Sequence, residues 1–139
     1  MSILDHPADK AIKAIAGELK KIESLKPPEW VGLVKAGAGN ERLPESPDFW
    51  YHRLASILLT VYKRGPVGTE RLRNKYGERK EHKVSRFHHR KAGGKIIRLG
   101  LQKLEMISFI KQNEAKKKGR VIAPKGLSFL EKLFKEDKK

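Results

Sequence analysis

The chain reads as mainly α: a winged-helix-like helical domain with a small two-stranded β-hairpin wing and an extra N-terminal helix. Three observations predict this. Apolar residues recur at helical spacing in five separate stretches of the 139 residues. A four-residue turn, Gly65 to Gly68, separates the second stretch from the third, as in a helix-turn-helix. A polar basic turn, Asn113 to Gly119, lies between two strand-compatible segments after the fourth. The length suits a single domain.

The first apolar row is Ala8, Ala11, Ile12, Ile15, Leu19 and Ile22, with lysines on the opposite face. Asp5 or His6 followed by Pro7 is a start signal, and Pro27-Pro28 cannot continue a helix. Residues 1–26 are therefore the N-terminal helix unit. Residues 27–46 form an extended arm punctuated by Pro27, Pro28, Gly32, Gly37, Gly39 and Pro44. Trp30, Val31, Leu33 and Val34 are its expected anchors on the core. A long arm without regular structure needs such packing, or a partner, to hold it.

Residues 47–134 make the winged-helix-like core. Ser46-Pro47-Asp48 enters the central helix with a Ser N-cap, Pro at the first position and an acid near the positive helix end. Trp50, Leu54, Ile57, Leu58 and Val61 share one face; His52, Arg53, Ser56, Thr60 and Lys63 share the other. Trp50 belongs to packing rather than stacking. Gly65-Pro66 stops the helix. A short helix follows from Glu70 to Tyr76, capped by Thr69 and closed by Gly77. Leu72 and Tyr76 face inward, while Arg71, Arg73 and Lys75 face outward.

Residues 78–94 show no sustained period and many charges, and read as a basic loop. The next helix runs from Lys95 to about Ile107, with Ile97, Leu101 and Leu104 inward and Lys95, Arg98 and Gln102 on another face. Ser108 to Lys111 and Arg120 to Ala123 supply the wing strands. Pro124 opens the last helix, carrying Leu127, Leu130, Leu133 and Phe134, and residues 135–139 form a frayed tail.

Charge supplies the functional signal. The formal net charge is +16. Between Lys63 and Lys103 stand fourteen bases and three acids, a net +11 over 41 residues. Such a cluster repels itself unless a polyanion neutralises it. Nucleic acid is the favoured polyanion, because each neutralised phosphate releases condensed counterions. An anionic membrane, an acidic protein or plain solvation are the other readings of a basic surface.

Several classes of function are excluded. With no cysteine there are no disulfides, zinc–thiolate sites or thiol nucleophiles, which fits a reducing compartment. Neither a signal-peptide pattern nor a run of ~18 apolar residues is present. The five histidines show no H-x-x-x-H spacing, and His88-His89 point apart on a regular backbone. No phosphate-binding glycine loop and no paired carboxylates appear, so the chain is expected to be no enzyme and to need no cofactor or metal.

Five blocks in order carry a family resemblance. They are Pro27-Pro28-Glu29-Trp30-Val31, Asp48-Phe49-Trp50-Tyr51-His52-Arg53-Leu54-Ala55-Ser56, and Val61-Tyr62-Lys63-Arg64-Gly65-Pro66-Val67-Gly68. Lys75-Tyr76-Gly77 and the ending Leu101…Leu104…Arg120…Pro124-Lys125-Gly126 complete them. Together they resemble the ribosomal protein S-nineteen family of archaeal and eukaryotic type over nearly the whole chain. The resemblance implies a winged-helix-like protein of the small-subunit head. Such a protein is a structural constituent that binds ribosomal RNA, supports assembly and sits on the cytoplasmic ribosome. Its partners would be small-subunit rRNA and neighbouring small-subunit ribosomal proteins, with no membrane involved and a monomer off the ribosome.

Arg53, Lys63-Arg64 and the basic loop after Tyr76 fall on the family's matching positions. Glu78 and Glu81 dilute that loop. The expected RNA-binding set is Arg53, Lys63, Arg64, Arg71, Arg73, Lys75, Arg79, Lys80, Arg86, His88, His89, Arg90, Lys91, Lys95 and Arg98. Arg offers a planar fork for phosphate and Lys a point charge, while Phe87, His88 and His89 among them suit stacking on unpaired bases. Phe87 as a core anchor and solvated histidines are the bland alternative. Arg53 has one too, a cap or pairing role within the fold. A winged-helix DNA-binding regulator is the alternative function, with Lys95, Arg98 and Gln102 entering a major groove. The first helix and the Trp30 arm also suit recruitment of a protein partner.

Overall fold

The computed structural model describes residues 6–31, 33, 37, 48–80, 88–113 and 119–136, the side chains of Arg79, Lys80, His88 and Glu136 excepted. Helix α1 spans Ala8–Leu19, shorter than the spacing predicts. After Leu19 the backbone tightens to i→i−3 bonds, Lys21 N–H to Glu18 C=O at 3.2 Å and Ile22 N–H to Leu19 C=O at 3.0 Å. It then makes one 3-10 turn, Glu23–Leu25. The gain is Leu25, which is 0% exposed and whose carbonyl accepts Trp50 Nε1–H at 2.8 Å. Ala8 is exposed, so the inward row begins at Ala11.

Helix α2, Phe49–Arg64, is the central element. All five residues of its apolar face are buried, and so are Tyr51, Ala55, Leu59 and Thr60, because α1 and α4 pack against it. The residue before the helix is Asp48, which makes no side-chain cap. Its carboxylate pairs instead with Lys20 at 3.0 Å and links the end of α1 to the start of α2. Ser46 and Pro47 lie outside the described residues. Gly65 ends the helix at φ +77°, a left-handed conformation that glycine adopts without strain.

Helix α3, Thr69–Tyr76, follows after the expected four-residue turn. Gly68, not Thr69, precedes the first turn, and Thr69 is helical with no capping bond. Leu72 is buried and Tyr76 half-buried.

The next segment corrects the reading of residues 78–94 as a loop. Strand β1, Glu78–Lys80, pairs antiparallel with β2, His88–Arg90, in the register Glu78↔Arg90, Arg79↔His89 and Lys80↔His88. These strands are short and charged, so no apolar alternation marks them, and the pairing is a matter of backbone hydrogen bonds. Gly77 lets them close: a Cβ there would lie 2.4 Å from the Arg90 carbonyl oxygen. Residues 81–87, with Arg86 and Phe87, lie outside the described residues.

Helix α4, Gly94–Met106, buries Ile96, Ile97, Gly100, Leu101 and Leu104. Strands β3, Ile110–Gln112, and β4, Arg120–Ile122, then form the expected wing, with Ile110 opposite Ile122. The wing docks on the helix-turn-helix turn: Val67 and Arg120 exchange N–H···O bonds of 3.1 and 3.0 Å. Lys116, Lys117 and Lys118 at the wing tip lie outside the described residues.

Helix α5, Pro124–Glu136, buries Leu130 and Phe134. Lys135 and Glu136 are helical rather than frayed. Phe109 and Phe129 stack at 4.8 Å, and a Cβ on Gly126 would sit 2.2 Å from the Phe109 carbonyl oxygen. Gly126→Ala therefore forces α5 away from the Phe109 backbone that leads into β3. The expected cost is about 1–3 kcal/mol, the range for overpacking, measured as a lower urea midpoint with unchanged slope.

Of the arm anchors, Trp30 and Val31 pack half-buried on the core, but Leu33 is 75% exposed. A turn closed by Leu33 N–H to Trp30 C=O at 3.0 Å precedes it. Val34 lies outside the described residues, and Gly37 bridges to Ala92. Among the described residues no helix is long and apolar enough to cross a membrane.

Candidate nucleic-acid interface

Arg53, Ser56, Thr60 and Arg64 follow one another at helical spacing along one side of α2. The end of α3 is laid against this stripe. Ser56 Oγ and Tyr76 OH are 2.6 Å apart. The Arg53 guanidinium stacks over the Tyr76 ring at 4.0 Å and reaches Phe49 at 5.2 Å. Thr60 Oγ1 donates to the Ser56 carbonyl at 2.8 Å, and Lys75 Nζ donates to Thr60 Oγ1.

Two bases here have lowered pKa values. Burial is the main cause at Arg53, opposed by Tyr76 and Glu78. Its charge nonetheless persists, as arginine stays protonated in proteins. At Lys75 burial again comes first, followed by the crowding charges of Arg64, Lys63 and Arg53. Lys63, Arg64 and Lys75 are exposed. Among the described residues none of the three makes an ion pair.

The opposite situation holds around Glu70. Arg73 Nη1 and Lys91 Nζ meet its carboxylate at 2.9 and 2.8 Å. Hydrogen bonds from Lys91 and Arg73 hold that carboxyl below the usual range. Arg73 Nε also donates to the Ala92 carbonyl at 3.0 Å, while Ala92 N–H donates back to the Arg73 carbonyl at 3.0 Å. Arg73 thus brackets α3 to the segment before α4 rather than facing freely outward.

Arg71, His89 and Arg90 are exposed, as are Lys95, Arg98 and Gln102 on α4. Lys95 Nζ lies 4.7 Å over the Trp30 ring, which ties the arm to α4. Arg79, Lys80 and His88 are in the β1–β2 hairpin. The structure therefore gathers Arg53, Lys63, Arg64 and Lys75 at one place and pairs Arg73 and Lys91 at another. Ser56, Thr60, Glu70 and Tyr76 organise these groups, and the sequence reading assigned them no such task. Only the position of Ser56 and Thr60 in register with Arg53 hinted at it. Among the described residues no cluster of His, Asp or Glu is placed to hold a metal ion.

The family model for ribosomal protein S19e matches residues 2–139. The chain belongs to the ribosomal protein S19e family. An Aeropyrum pernix protein named small ribosomal subunit protein eS19 is 39% identical over 138 residues, spanning 98% of this chain and 89% of that one. An Emericella nidulans protein of the same name is 37% identical over 135 residues, spanning 97% and 90%. The Ascaris suum small ribosomal subunit protein eS19G is 36% identical over 132 residues, spanning 95% and 88%. As an S19e-family member the chain is a ribosomal protein, a structural and non-enzymatic component.

Proposed function

We propose that the protein is a structural constituent of the small ribosomal subunit that binds ribosomal RNA and supports assembly of the subunit head. The relatives are named as small-subunit proteins. The observation that carries RNA binding is the group Lys63, Arg64 and Lys75, held together where α2 and α3 end and without an ion pair among the described residues. Their repulsion is relieved when phosphates enter, and released counterions drive the association. The protein's work is then electrostatic: it holds RNA segments at a set spacing beside neighbouring ribosomal proteins. Off the cytoplasmic ribosome it is a monomer.

Sedimentation of cell extract tests this reading. The protein is expected to travel with small subunits through a moderate-salt wash; recovery only at the top of the gradient overturns it. The exposure of Lys95, Arg98 and Gln102 favours one second reading, a helix for a DNA major groove. Tight sequence-specific duplex binding in a shift assay would promote it.

Glu70 opposes RNA in this scheme. Glu70→Gln frees Lys91 and loosens Arg73, so rRNA affinity is expected to rise about two- to fivefold at low salt, with the gain fading as salt screens it. An unchanged or weaker affinity contradicts the assignment.

A further inference from the structure

We propose that Thr60 is a positioning residue that holds Lys75 as the central cation of a clamp for one RNA phosphodiester, with Lys63 and Arg64 as its flanks. The inference rests on the rRNA-binding reading and specifies how one part of that surface works.

Thr60 is 3% exposed and lies between buried Leu59 and Val61 on α2. Valine has the same shape and would suit such a core position. The hydroxyl is nevertheless used in both senses: it donates to the Ser56 carbonyl and accepts from Lys75 Nζ. A free lysine side chain is among the costliest to immobilise. This one is drawn towards three other cations, against Coulomb repulsion. Several other bases of the fold meet carboxylates: Lys20 meets Asp48, Arg73 and Lys91 meet Glu70, and Arg120 meets Glu105. Among the described residues no carboxylate pairs with Lys75, so an external anion completes its surroundings.

The chemistry selects the anion. Lys63, Arg64 and Lys75 offer N–H donors and no acceptor. Two non-bridging oxygens of a phosphodiester satisfy such a set, and every nucleotide along the chain offers them whatever its base. The clamp therefore reads RNA backbone and not sequence. Because Thr60 orders Lys75 during folding, less ordering entropy is lost on binding.

The test measures binding of the full chain to small-subunit rRNA from the same cells over a range of salt. The variants are K75M, T60V, T60S and T60V/K75M, each first shown by thermal unfolding to be folded at the assay temperature. K75M is expected to weaken binding and to reduce the slope of log affinity against log salt by about 0.7–0.9, the value of one phosphate contact. T60V is expected to weaken binding about three- to tenfold, the scale of one hydrogen bond's net contribution, with T60S within about twofold of wild type on the same scale. On the K75M background T60V should cost nothing more, because the hydroxyl acts through Lys75.

A T60V loss of equal size in both backgrounds means a merely structural role and overturns the proposal. Unchanged binding in either T60V or K75M overturns it too, while the rRNA-binding reading survives. If the wild-type chain binds this rRNA no better than a basic peptide of equal charge, that reading fails and the clamp falls with it.

Discussion

Reversing Lys63, Arg64 and Lys75 together, as K63E/R64E/K75E, is expected to lower affinity for small-subunit rRNA by at least about a thousandfold near physiological salt. Each substitution removes an attraction and installs a repulsion. Unit charges near a protein surface interact by about 1–4 kcal/mol at close range. Three reversals at roughly 2 kcal/mol each exceed the ~4 kcal/mol that a thousandfold requires, even with screening by salt. The fold should survive, because all three side chains are exposed and α2 is held by its apolar contacts to α1 and α4. Circular dichroism checks the fold, and the fraction of protein travelling with small subunits gives the result in cells. Normal incorporation of a folded triple variant would show that another face binds the RNA.

Trp50→Ala should be the most damaging single change to stability. Trp50 is 1% exposed in the core, and its indole N–H joins α2 to the Leu25 carbonyl across 25 residues of sequence. Truncating a buried aromatic costs about 3–5 kcal/mol. The stranded carbonyl adds about 1–3 kcal/mol if water does not reach it. Against a total stability of about 5–15 kcal/mol, most of the margin is gone. Urea unfolding measures it. Trp50→Phe separates the two effects, since it retains most of the ring packing and removes the hydrogen bond. A loss under about 1 kcal/mol in Trp50→Ala would mean that α1 and its following turn do not depend on this anchor.

The sequence showed some of this and hid the rest, for physical reasons. The α2 core face was legible because Trp50, Leu54, Ile57, Leu58 and Val61 recur at a helical period. The wing was legible because a charged turn interrupts two apolar segments, and its strands register Ile110 against Ile122. The β1–β2 hairpin was not, since Glu78–Lys80 and His88–Arg90 hold no apolar residue to mark an alternation, and Glu78, His89 and Arg90 are exposed. Leu33 looked like an anchor by hydrophobicity alone, but the turn after Trp30 leaves it exposed.

The site divides in the same way. Clustering of bases marks a polyanion surface, yet it does not separate bases with free charge from bases with an internal partner. Arg73 and Lys91 meet Glu70, and Arg53 stacks on Tyr76. Lys91 meets Glu70 from 21 positions away, and Arg53 and Tyr76 come from different helices, where no local spacing reveals the pairing; only Arg73–Glu70 is an i,i+3 pair within α3. Thr60 illustrates the limit best. On a helical wheel it is one more polar residue of the outer face; packed, it is buried and holds a lysine from the next helix.

Protein–RNA crosslinking in intact small subunits, read out by mass spectrometry, tests the central claim most directly. That claim is that rRNA is bound where α2 and α3 end. The expected result is crosslinked nucleotide on peptides containing Lys63, Arg64 and Lys75. Crosslinks confined to the exposed lysines of α1, Lys10 and Lys13, or of α5, Lys125, Lys132 and Lys135, would contradict it.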